Sequence, residues 1–218
     1  MPEQVVKLKK KQWYPIIAPK QFDNAVIGET LVYEPNQMLG KTLSHSLMNL
    51  TNDVRRQNVN IHFKIVEVEG EKAKTSIIGY EIVPSSVKRF VRRNSEKMSL
   101  SFNCETADSL FLRVKPLVVT KADIKGSTAA KLRNNITALL TKIIKKMTYE
   151  QVLGDLISHK LQSVMKENLN KIYPLKVCEI RYLGIETRDK RQKGQSQEIK
   201  AEAEAEVKEV KEVQEGQD

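Results

Sequence analysis

The sequence NVNIHFKIVEVEGEKAKTSIIGYEIV, residues 58–83, predicts a long β-hairpin, and this hairpin decides the fold class. Apolar and polar side chains alternate from 61 to 65, which is typical of a strand with one buried face. Val66 and Val68 continue the apolar set on the opposite parity, and a change of parity inside one strand indicates a β-bulge. The turn at 69–71 contains a glycine and reverses the chain, so that the second arm can pair with the first.

Four other segments predict further strands. Residues 25–33 are rich in branched side chains and end at a turn. Residues 40–52 are compatible with a strand or a short helix, and we prefer the strand. Residues 97–105 and 109–120 predict a second hairpin. Pro116 lies in its second arm and should place that arm at a sheet edge or end the pairing there.

A short basic helix is predicted over residues 84–93. Val87, Phe90 and Val91 have the i, i+3, i+4 spacing of one apolar helical face. The other positions carry the cations Lys88, Arg89, Arg92 and Arg93. These cations make two i,i+4 pairs of like charge, and each pair costs an isolated helix about 0.2–0.5 kcal/mol. Phosphates between the cations would remove that cost, although a solvated face screened by salt is the alternative.

Two long amphipathic helices follow, because the apolar period changes from 2 to 3.6. Ser127 is the predicted N-cap of the first helix and Thr148 that of the second, which must end by Tyr173-Pro174. Residues 176–185 predict a last strand that returns to the sheet. The fold class is therefore α+β: a largely antiparallel sheet or barrel-like β body, a short basic helix, two long amphipathic helices and a final returning strand. The apolar stripe of the first long helix consists of Leu132, Ile136, Leu139, Leu140, Ile143, Ile144 and Met147.

Charge is unevenly distributed along the chain. Residues 195–218 contain eight acidic residues and three lysines, a net −5, and because the whole chain carries +10, residues 1–194 carry +15. A body this basic repels itself unless an anion lies against it, and nucleic acid is a common partner of this kind. We predict an extended basic strap at 1–22, a single α+β RNA-binding domain at 23–187 and a low-complexity, disordered charged tail at 188–218.

The strap contains the sequence KLKKKQWYPIIAPKQF at residues 7–22. Pro15 and Pro19 each remove a backbone donor and fix a backbone angle, so we expect an extended segment that forms no regular element. Its lysines suit phosphates. Its rings would either stack on unpaired bases or, as we prefer, pin the strap to the protein's own core. These aromatic anchors are Trp13, Tyr14 and Phe22.

The sequence shows no pattern typical of a reaction centre. Cys104 and Cys178 are far apart and form no CxxC pair, so both are expected to be reduced packing residues. The three histidines lack the short spacing of a metal site, and the nine glycines are scattered rather than gathered in a phosphate loop. No apolar run approaches the roughly 20 residues that a membrane span needs. We therefore expect no enzyme, no metal, no cofactor and no membrane contact, and a cytoplasmic location.

Basic residues recur on separate predicted elements, with one more patch at 188–193. This distribution suits a protein wedged between several RNA segments, where most contacts go to phosphate. An RNA-processing or RNA-modifying enzyme and a DNA-binding packaging protein are the alternatives, since both also use basic surfaces. The candidate RNA-binding residues are Lys7, Lys9, Lys10, Lys11, Lys20, Lys88, Arg89, Arg92, Arg93, Lys121, Lys125, Lys131, Arg133, Lys142, Lys145 and Lys146.

Several of these residues resemble one known family. The opening motif consists of Lys11, Trp13-Tyr14, Ala18-Pro19, Phe22 and Ile27-Gly28-Glu29-Thr30. It is similar to the opening of the S3Ae family of small-subunit ribosomal proteins, which archaea and eukaryotes share. The similarity continues through the basic segment at 87–93, the run Lys145-Lys146-Met147 and the run Ile172-Tyr173-Pro174-Leu175. It covers about residues 7–185.

This resemblance carries its own expectations. It implies a β-rich α+β protein on the platform of the small ribosomal subunit, near the messenger exit and the 3′ region of the ribosomal RNA. The implied partners are small-subunit ribosomal RNA, neighbouring platform proteins and messenger RNA near the exit, with no catalytic role. The chain has no long lysine-rich N-terminal extension of the kind that eukaryotic members carry, which indicates an archaeal form.

Overall fold

The computed structural model describes residues 10–70 and 72–186, which form a mixed, mostly antiparallel nine-stranded sheet and five α-helices. The strands are β1 (Gln12–Ile17), β2 (Val26–Val32), β3 (Thr42–Ser46), β4 (Val59–Glu69), β5 (Lys72–Ile82), β6 (Lys97–Ser99), β7 (Phe102–Glu105), β8 (Phe111–Thr120) and β9 (Leu175–Ile185). The helices are α1 (Leu47–Thr51), α2 (Pro84–Phe90), α3 (Gly126–Ile144), α4 (Tyr149–Ile157) and α5 (Lys160–Asn170). The predicted α+β class is confirmed, and the sheet is open rather than a closed barrel.

The predicted hairpin at 58–83 is confirmed as β4 and β5, which pair along their whole length. Two register shifts interrupt the pairing, one of them between Ile65 and Glu67. Val66 is exposed at this shift, whereas Phe63 and Ile65 before it are buried. The change of apolar parity therefore marked a real bulge.

The last strand returns to the sheet as predicted and lies between β5 and β8. The sheet order is β2-β1-β5-β9-β8-β6, with β3 and β4 joined to β5 on one side and β7 joined to β8 on the other. Both partners of β9 run antiparallel to it. The N-terminal strands and the second hairpin thus become one sheet only through β9.

The main core forms where the helices cover one face of this sheet. Leu132, Ile136, Leu140 and Ile144 of α3 are fully buried, as the 3.6-residue period predicts. They belong to one apolar cluster with residues from the central strands, α4 and α5. A smaller cluster around Met38 joins β1, β2 and the start of β5. The opposite faces of the central strands are left to carry polar side chains.

The prediction that residues 7–22 form no regular element is wrong. β1 pairs antiparallel with β2 over its whole length and parallel with β5 at Ile16 and Ile17 only. Pro15 has no backbone N–H to donate, and it is tolerated because the parallel pairing with β5 begins only after it. On the β5 side, Pro15 therefore lies opposite no strand that would need this donor. The extended backbone that the prolines favour is therefore used as a strand near the edge of the sheet.

The expectation that Pro116 marks an edge or the end of pairing is also wrong. β8 is an interior strand that pairs with β9 on one side and with β6 and β7 on the other. The register of β8 and β9 shifts between Lys115 and Pro116, and a bulge is the other place where a sheet accepts proline. The first arm of the predicted second hairpin is accordingly split into β6 and β7.

The helix ends differ from the predictions in two places and agree in one. Lys125, rather than Ser127, occupies the N-cap of α3, and no side chain caps it. Thr148 does cap α4, in a capping box with Gln151. The second long helix is divided at His159, which adopts a left-handed backbone with φ 59°, and the Gln162 side chain donates to the Leu156 carbonyl at 3.1 Å. A buried side chain thus satisfies a carbonyl at the break.

Two shorter segments also depart from expectation. The segment 40–52 contains both alternatives, since β3 is followed directly by α1. α2 ends at Phe90, and Val91 is already extended. Arg92 and Arg93 therefore lie beyond the helix, and the predicted like-charge pairs do not form on one helical face.

The two buried rings of the N-terminal segment should stabilise the protein, whereas the exposed one should not. Phe22 is 6% exposed and meets Phe63 edge to face, with ring centroids 6.0 Å apart, but Trp13 is 65% exposed. We expect Phe22→Ala to lower the free energy of unfolding by about 3–5 kcal/mol, because it leaves a cavity. Trp13→Ala should change it by no more than about 0.5 kcal/mol.

Urea unfolding of the RNA-free protein, followed by circular dichroism, measures both changes. Equal losses in the two variants would contradict the assignment of Phe22 as the anchor.

Candidate nucleic-acid interface

The aromatic residues of β1 point to opposite faces of the sheet. Tyr14 is 5% exposed and buried in the smaller cluster, whereas the adjacent Trp13 points outward, as alternation along a strand requires. The exposure of Trp13 contradicts its preferred role as an anchor to the core, whereas Tyr14 and Phe22 are both buried and their anchor role stays a prediction.

Trp13 lies in an exposed aromatic patch that we call the tryptophan patch, consisting of Lys11, Trp13, Leu31 and Tyr33. Trp13 is directly opposite Leu31 across the β1–β2 pairing. The Lys11 ammonium lies 5.1 Å from the centroid of the Tyr33 ring, within the range of a cation–π contact. Leu31 and Tyr33 are exposed as well. The patch thus combines open rings with a cation at the edge of the sheet.

The remaining N-terminal cations are only partly described. Lys10, Lys11 and Lys20 are exposed. The candidates Lys7 and Lys9 lie outside the described residues, as does the basic patch at 188–193.

The cations around α2 form an exposed turn rather than a helical face. Lys88 and Arg89 end the helix, and Arg92 and Arg93 follow it, all of them exposed. The Ser95 hydroxyl shapes the turn, because it donates to the Arg92 carbonyl at 2.6 Å and accepts from the Arg92 N–H at 3.3 Å. Two of the four cations therefore lie at the end of the helix, and the other two lie in the turn that follows it.

Two cations of α3 and the lysine at its C-cap share the outward face of the helix. At 3.6 residues per turn, Lys131, Lys142 and Lys145 fall within about 60° of one another, opposite the buried stripe, and all are exposed. Arg133 differs, because its guanidinium lies 4.0 Å from the Glu96 carboxylate. The other exposed candidates flank the helix: Lys121 and Lys125 before it, and Lys146 after it.

Sequence reasoning missed the cations on the strands, of which Lys115 and Arg181 are the clearest. Lys115 lies opposite Tyr182 in the β8–β9 pairing, and its ammonium is 4.6 Å from the centroid of the tyrosine ring. Arg181 is adjacent to Tyr182 in β9. β8 also contains Arg113 and β9 also contains Lys176, but the cations are not adjacent in either strand, so no charge run marks Lys115 or Arg181. Only the strand register brings the two together.

The titratable groups of the core do not form a reaction centre. Burial raises the pKa of the Cys104 thiol to about 11 and that of the Cys178 thiol to about 12, so neither is a thiolate near neutral pH. Both cysteines are buried and unpaired. Within the described ranges, no three His, Cys, Asp or Glu side chains are placed to hold a metal ion. No helix in the described part of the chain is long and apolar enough to span a membrane.

Glu179 is a half-buried carboxyl with a perturbed pKa. Burial raises its pKa to about 7, although the ammonium of Lys166 opposes the shift. Its nearest basic partner is His159, with Nδ1 at 3.9 Å from Oε2, which is too long for a hydrogen bond. Burial also lowers the pKa of His159, with Arg56 adding to the effect, so the imidazole does not offer a compensating charge at neutral pH.

This fold and its exposed cations define a basic α+β protein. The sequence profile of the Ribosomal S3Ae family matches residues 3–188, and the chain belongs to this family. Curated relatives named small ribosomal subunit protein eS1 agree with the match. The protein of Haloarcula marismortui is 31% identical over 182 residues, which are 84% of this chain and 85% of the relative. The protein of Saccharolobus islandicus is 33% identical over 174 residues, 80% of this chain and 84% of the relative.

The protein of Staphylothermus marinus is also similar, at 30% identity over 174 residues, which are 80% of this chain and 82% of the relative. All three organisms are archaea, in agreement with the expected archaeal form. Family membership makes the chain a structural component of the small ribosomal subunit and not an enzyme. The resemblance found in the sequence is thereby confirmed.

The raised pKa of Glu179 predicts a pH-dependent stability. The ordinary pKa of a glutamate is 4.5, and between pH 4.5 and about 7 the folded protein keeps a proton on Glu179 that the unfolded chain has released. The free energy of unfolding is therefore highest below pH 4.5, falls as pH rises, and has lost this contribution once pH passes about 7. Glu179→Gln should therefore be more stable than the parent chain at pH 8 by about 2–3 kcal/mol. The difference should vanish near pH 4.

Urea unfolding from pH 4 to pH 8 measures this difference. The matched control is Glu167→Gln on the exposed surface of α5. If Glu179→Gln and the control follow the same pH curve, the carboxyl of Glu179 is not perturbed.

Proposed function

We propose that this protein binds small-subunit ribosomal RNA through cations on several rigid elements and thereby fixes the position of RNA segments in the subunit. The observation that carries the proposal is the placement of these cations: they are exposed on either side of β1, around α2 and along the outward face of α3, while the apolar sides of these elements build the two core clusters. Such contacts go mainly to phosphate and set position rather than read sequence.

The outward face of α3 offers a row of three cations. Lys131 and Lys145 are separated by about 21 Å at the helical rise of 1.5 Å per residue, with Lys142 between them. A row of this length can contact several successive phosphates of one RNA strand. Because it lies on a helix whose other side is fully buried, the row keeps its shape when the RNA is absent.

The tryptophan patch supplies a different kind of contact. Trp13 and Tyr33 are exposed rings, and Lys11 adds a cation beside them. Unpaired bases stack on rings of this kind, with about 1–3 kcal/mol per base. In this proposal the patch takes an unpaired nucleotide, and the neighbouring cations take the phosphates on either side of it.

Family membership supports a finer proposal about location. The protein would lie on the platform of the small subunit, near the messenger exit and the 3′ region of the ribosomal RNA, with platform proteins and messenger RNA as neighbours. In this proposal residues 1–22 and 23–187 both face RNA. The charged tail at 188–218 lies outside the described residues and is given no role.

The cations around α2 give the first test. We expect replacement of Arg89, Arg92 and Arg93 by glutamine to weaken binding to the small-subunit ribosomal RNA of Saccharolobus islandicus. The plot of log affinity against log salt concentration should lose about 2–3 units of slope, because up to three phosphate contacts are removed.

The matched control replaces Lys160, Lys171 and Lys176, which are exposed but outside the proposed interface, by glutamine. Filter binding from 50 to 300 mM salt measures both slopes. An affinity of the parent chain that does not change with salt would sink the proposed function.

The tryptophan patch gives the second test. Trp13→Ala should weaken RNA binding by roughly 5- to 150-fold, which corresponds to about 1–3 kcal/mol of lost stacking. Trp13→Phe keeps a ring and should restore most of the affinity. If Trp13→Ala leaves RNA affinity unchanged but lowers incorporation into small subunits, a protein neighbour, rather than a base, covers the patch.

A further inference from the structure

A pocket on the uncovered face of the sheet collects four cations from four parts of the chain. It has a volume of about 310 Å³, at the lower end of the range of ligand pockets, about 300–1,000 Å³. Its charged and aromatic lining residues are Lys88, Lys97, Lys115, Arg181, Tyr182 and Glu81. Of these, only Lys88 belongs to the basic residues that the sequence suggests as RNA contacts.

The register of three strands builds the floor of this pocket. Glu81 of β5 pairs with Tyr182 of β9, and Tyr182 pairs with Lys115 of β8. Directly paired residues point to the same face of a sheet, so these three side chains form one row. Lys88 approaches from α2, and Lys97 stands at the start of β6.

A bulge brings Arg181 into the same row. Lys115 pairs with Tyr182 and Pro116 with Ile180, which leaves Arg181 as the extra residue of β9. Ile180 is fully buried, whereas Arg181 and Tyr182 are both half-buried and both line the pocket. The bulge therefore turns two successive side chains of β9 to the outer face.

The cations of the pocket are not neutralised by any carboxylate in the part of the chain that the structure describes. Among the described residues, Lys88, Lys97, Lys115 and Arg181 form no ion pair with a carboxylate. The one acidic lining residue, Glu81, is 3.2 Å from Nε2 of His62 and is held by that contact. Cations gathered in a concave site raise the local concentration of anions.

The aromatic ring in the pocket is not open to a base. The Tyr182 ring lies over Gly184, where a Cβ atom would stand 2.6 Å from the tyrosine oxygen, and the Lys115 ammonium also lies over the ring. Stacking would require Lys115 to move. The pocket therefore differs from the tryptophan patch, whose rings are exposed, and it suits a small anion.

We propose that this pocket is a phosphate site that holds one backbone phosphate of ribosomal RNA. The inference rests on the proposed function and adds a specific site to it. The Arg181 guanidinium can donate two parallel hydrogen bonds to two oxygens of one phosphate, while the lysines act as point charges around it. Lys88 connects the pocket with the exposed cations around α2, so an RNA strand can reach both.

Removal of the two deepest cations tests the site. We expect Arg181→Gln combined with Lys115→Gln to weaken binding to the small-subunit ribosomal RNA of Saccharolobus islandicus and to lower the salt slope by about 1, the value for one lost phosphate contact. Lys160→Gln combined with Lys171→Gln removes the same charge from exposed positions at the start and the C-cap of α5 and should leave the slope unchanged. Arg181→Lys keeps the charge without the fork and should fall between the parent chain and the double variant.

Circular dichroism melting of each variant checks the fold. If the double variant does not fold, the exposed Lys97→Gln is used instead, with the same expected direction. If the parent chain binds RNA with salt dependence but the pocket variant and the control have equal salt slopes, the phosphate site is overturned and the proposed function stands. A parent chain without salt-dependent RNA binding overturns the proposed function, and the spectroscopic test below then decides the pocket by itself.

The source of the phosphate is tested by NMR on the parent chain. The Nε–Hε signal of Arg181, assigned by its loss in Arg181→Lys, is followed while hexauridylate or inorganic phosphate is added at equal phosphorus concentration. We expect hexauridylate to shift the signal more strongly. A shift with inorganic phosphate alone identifies a site for free phosphate and overturns the RNA assignment, and no shift with either probe overturns the site.

Discussion

The insertion of β9 between β5 and β8 is the constraint on which the rest of the structure depends. Without this strand, β5 and β8 would each present an unpaired edge, and the sheet would fall into two parts. Its pairing is non-local, because Glu81 and Tyr182 are far apart in sequence, so the entropy of closing the intervening chain is lost before the contacts form. α3, α4 and α5 occupy that intervening chain and pack on the face that β9 completes. The core and the sheet therefore depend on the same strand.

The same strand also shapes the outer surface. Ile180 and Leu183 are three residues apart, yet both are fully buried, because the bulge at Arg181 shifts the alternation by one position. A regular strand would direct Arg181 and Tyr182 to opposite faces. The bulge thus keeps the apolar contacts with the helices and adds a cation to the outer row. Pro116 lies opposite this bulge. The proline that was expected to exclude β8 from the sheet interior therefore belongs to the bulge that forms the proposed phosphate pocket.

Local periodicity made much of the fold predictable. The hairpin, the bulge near Val66, the buried stripe of α3 and the cap at Thr148 each depend on side chains that are neighbours in one element. Pro15 and Pro116 were misjudged because their acceptability depends on which side of a strand has a partner, and that is a tertiary property. Trp13 was misassigned as a consequence: once β1 is a strand, Trp13 and Tyr14 must face opposite sides. Lys115 and Arg181 could not be found, because only the register of β8 and β9 brings them together.

The division of the sheet into a packed face and a polar face separates stability from binding. Half-buried cations such as Lys115 and Arg181, which form no ion pair with a carboxylate among the described residues, contribute repulsion to the free protein rather than cohesion, so the apolar face must supply the folding energy. RNA that binds only the folded chain then stabilises it by mass action, in addition to relieving the repulsion. Glu179 illustrates the opposite case, because it lies close to the apolar interior. Burial of its ionised carboxylate, which also raises its pKa, costs free energy that no phosphate can relieve. An RNA partner would therefore relieve the charge repulsion on the outer face but not the cost of burying the Glu179 carboxylate.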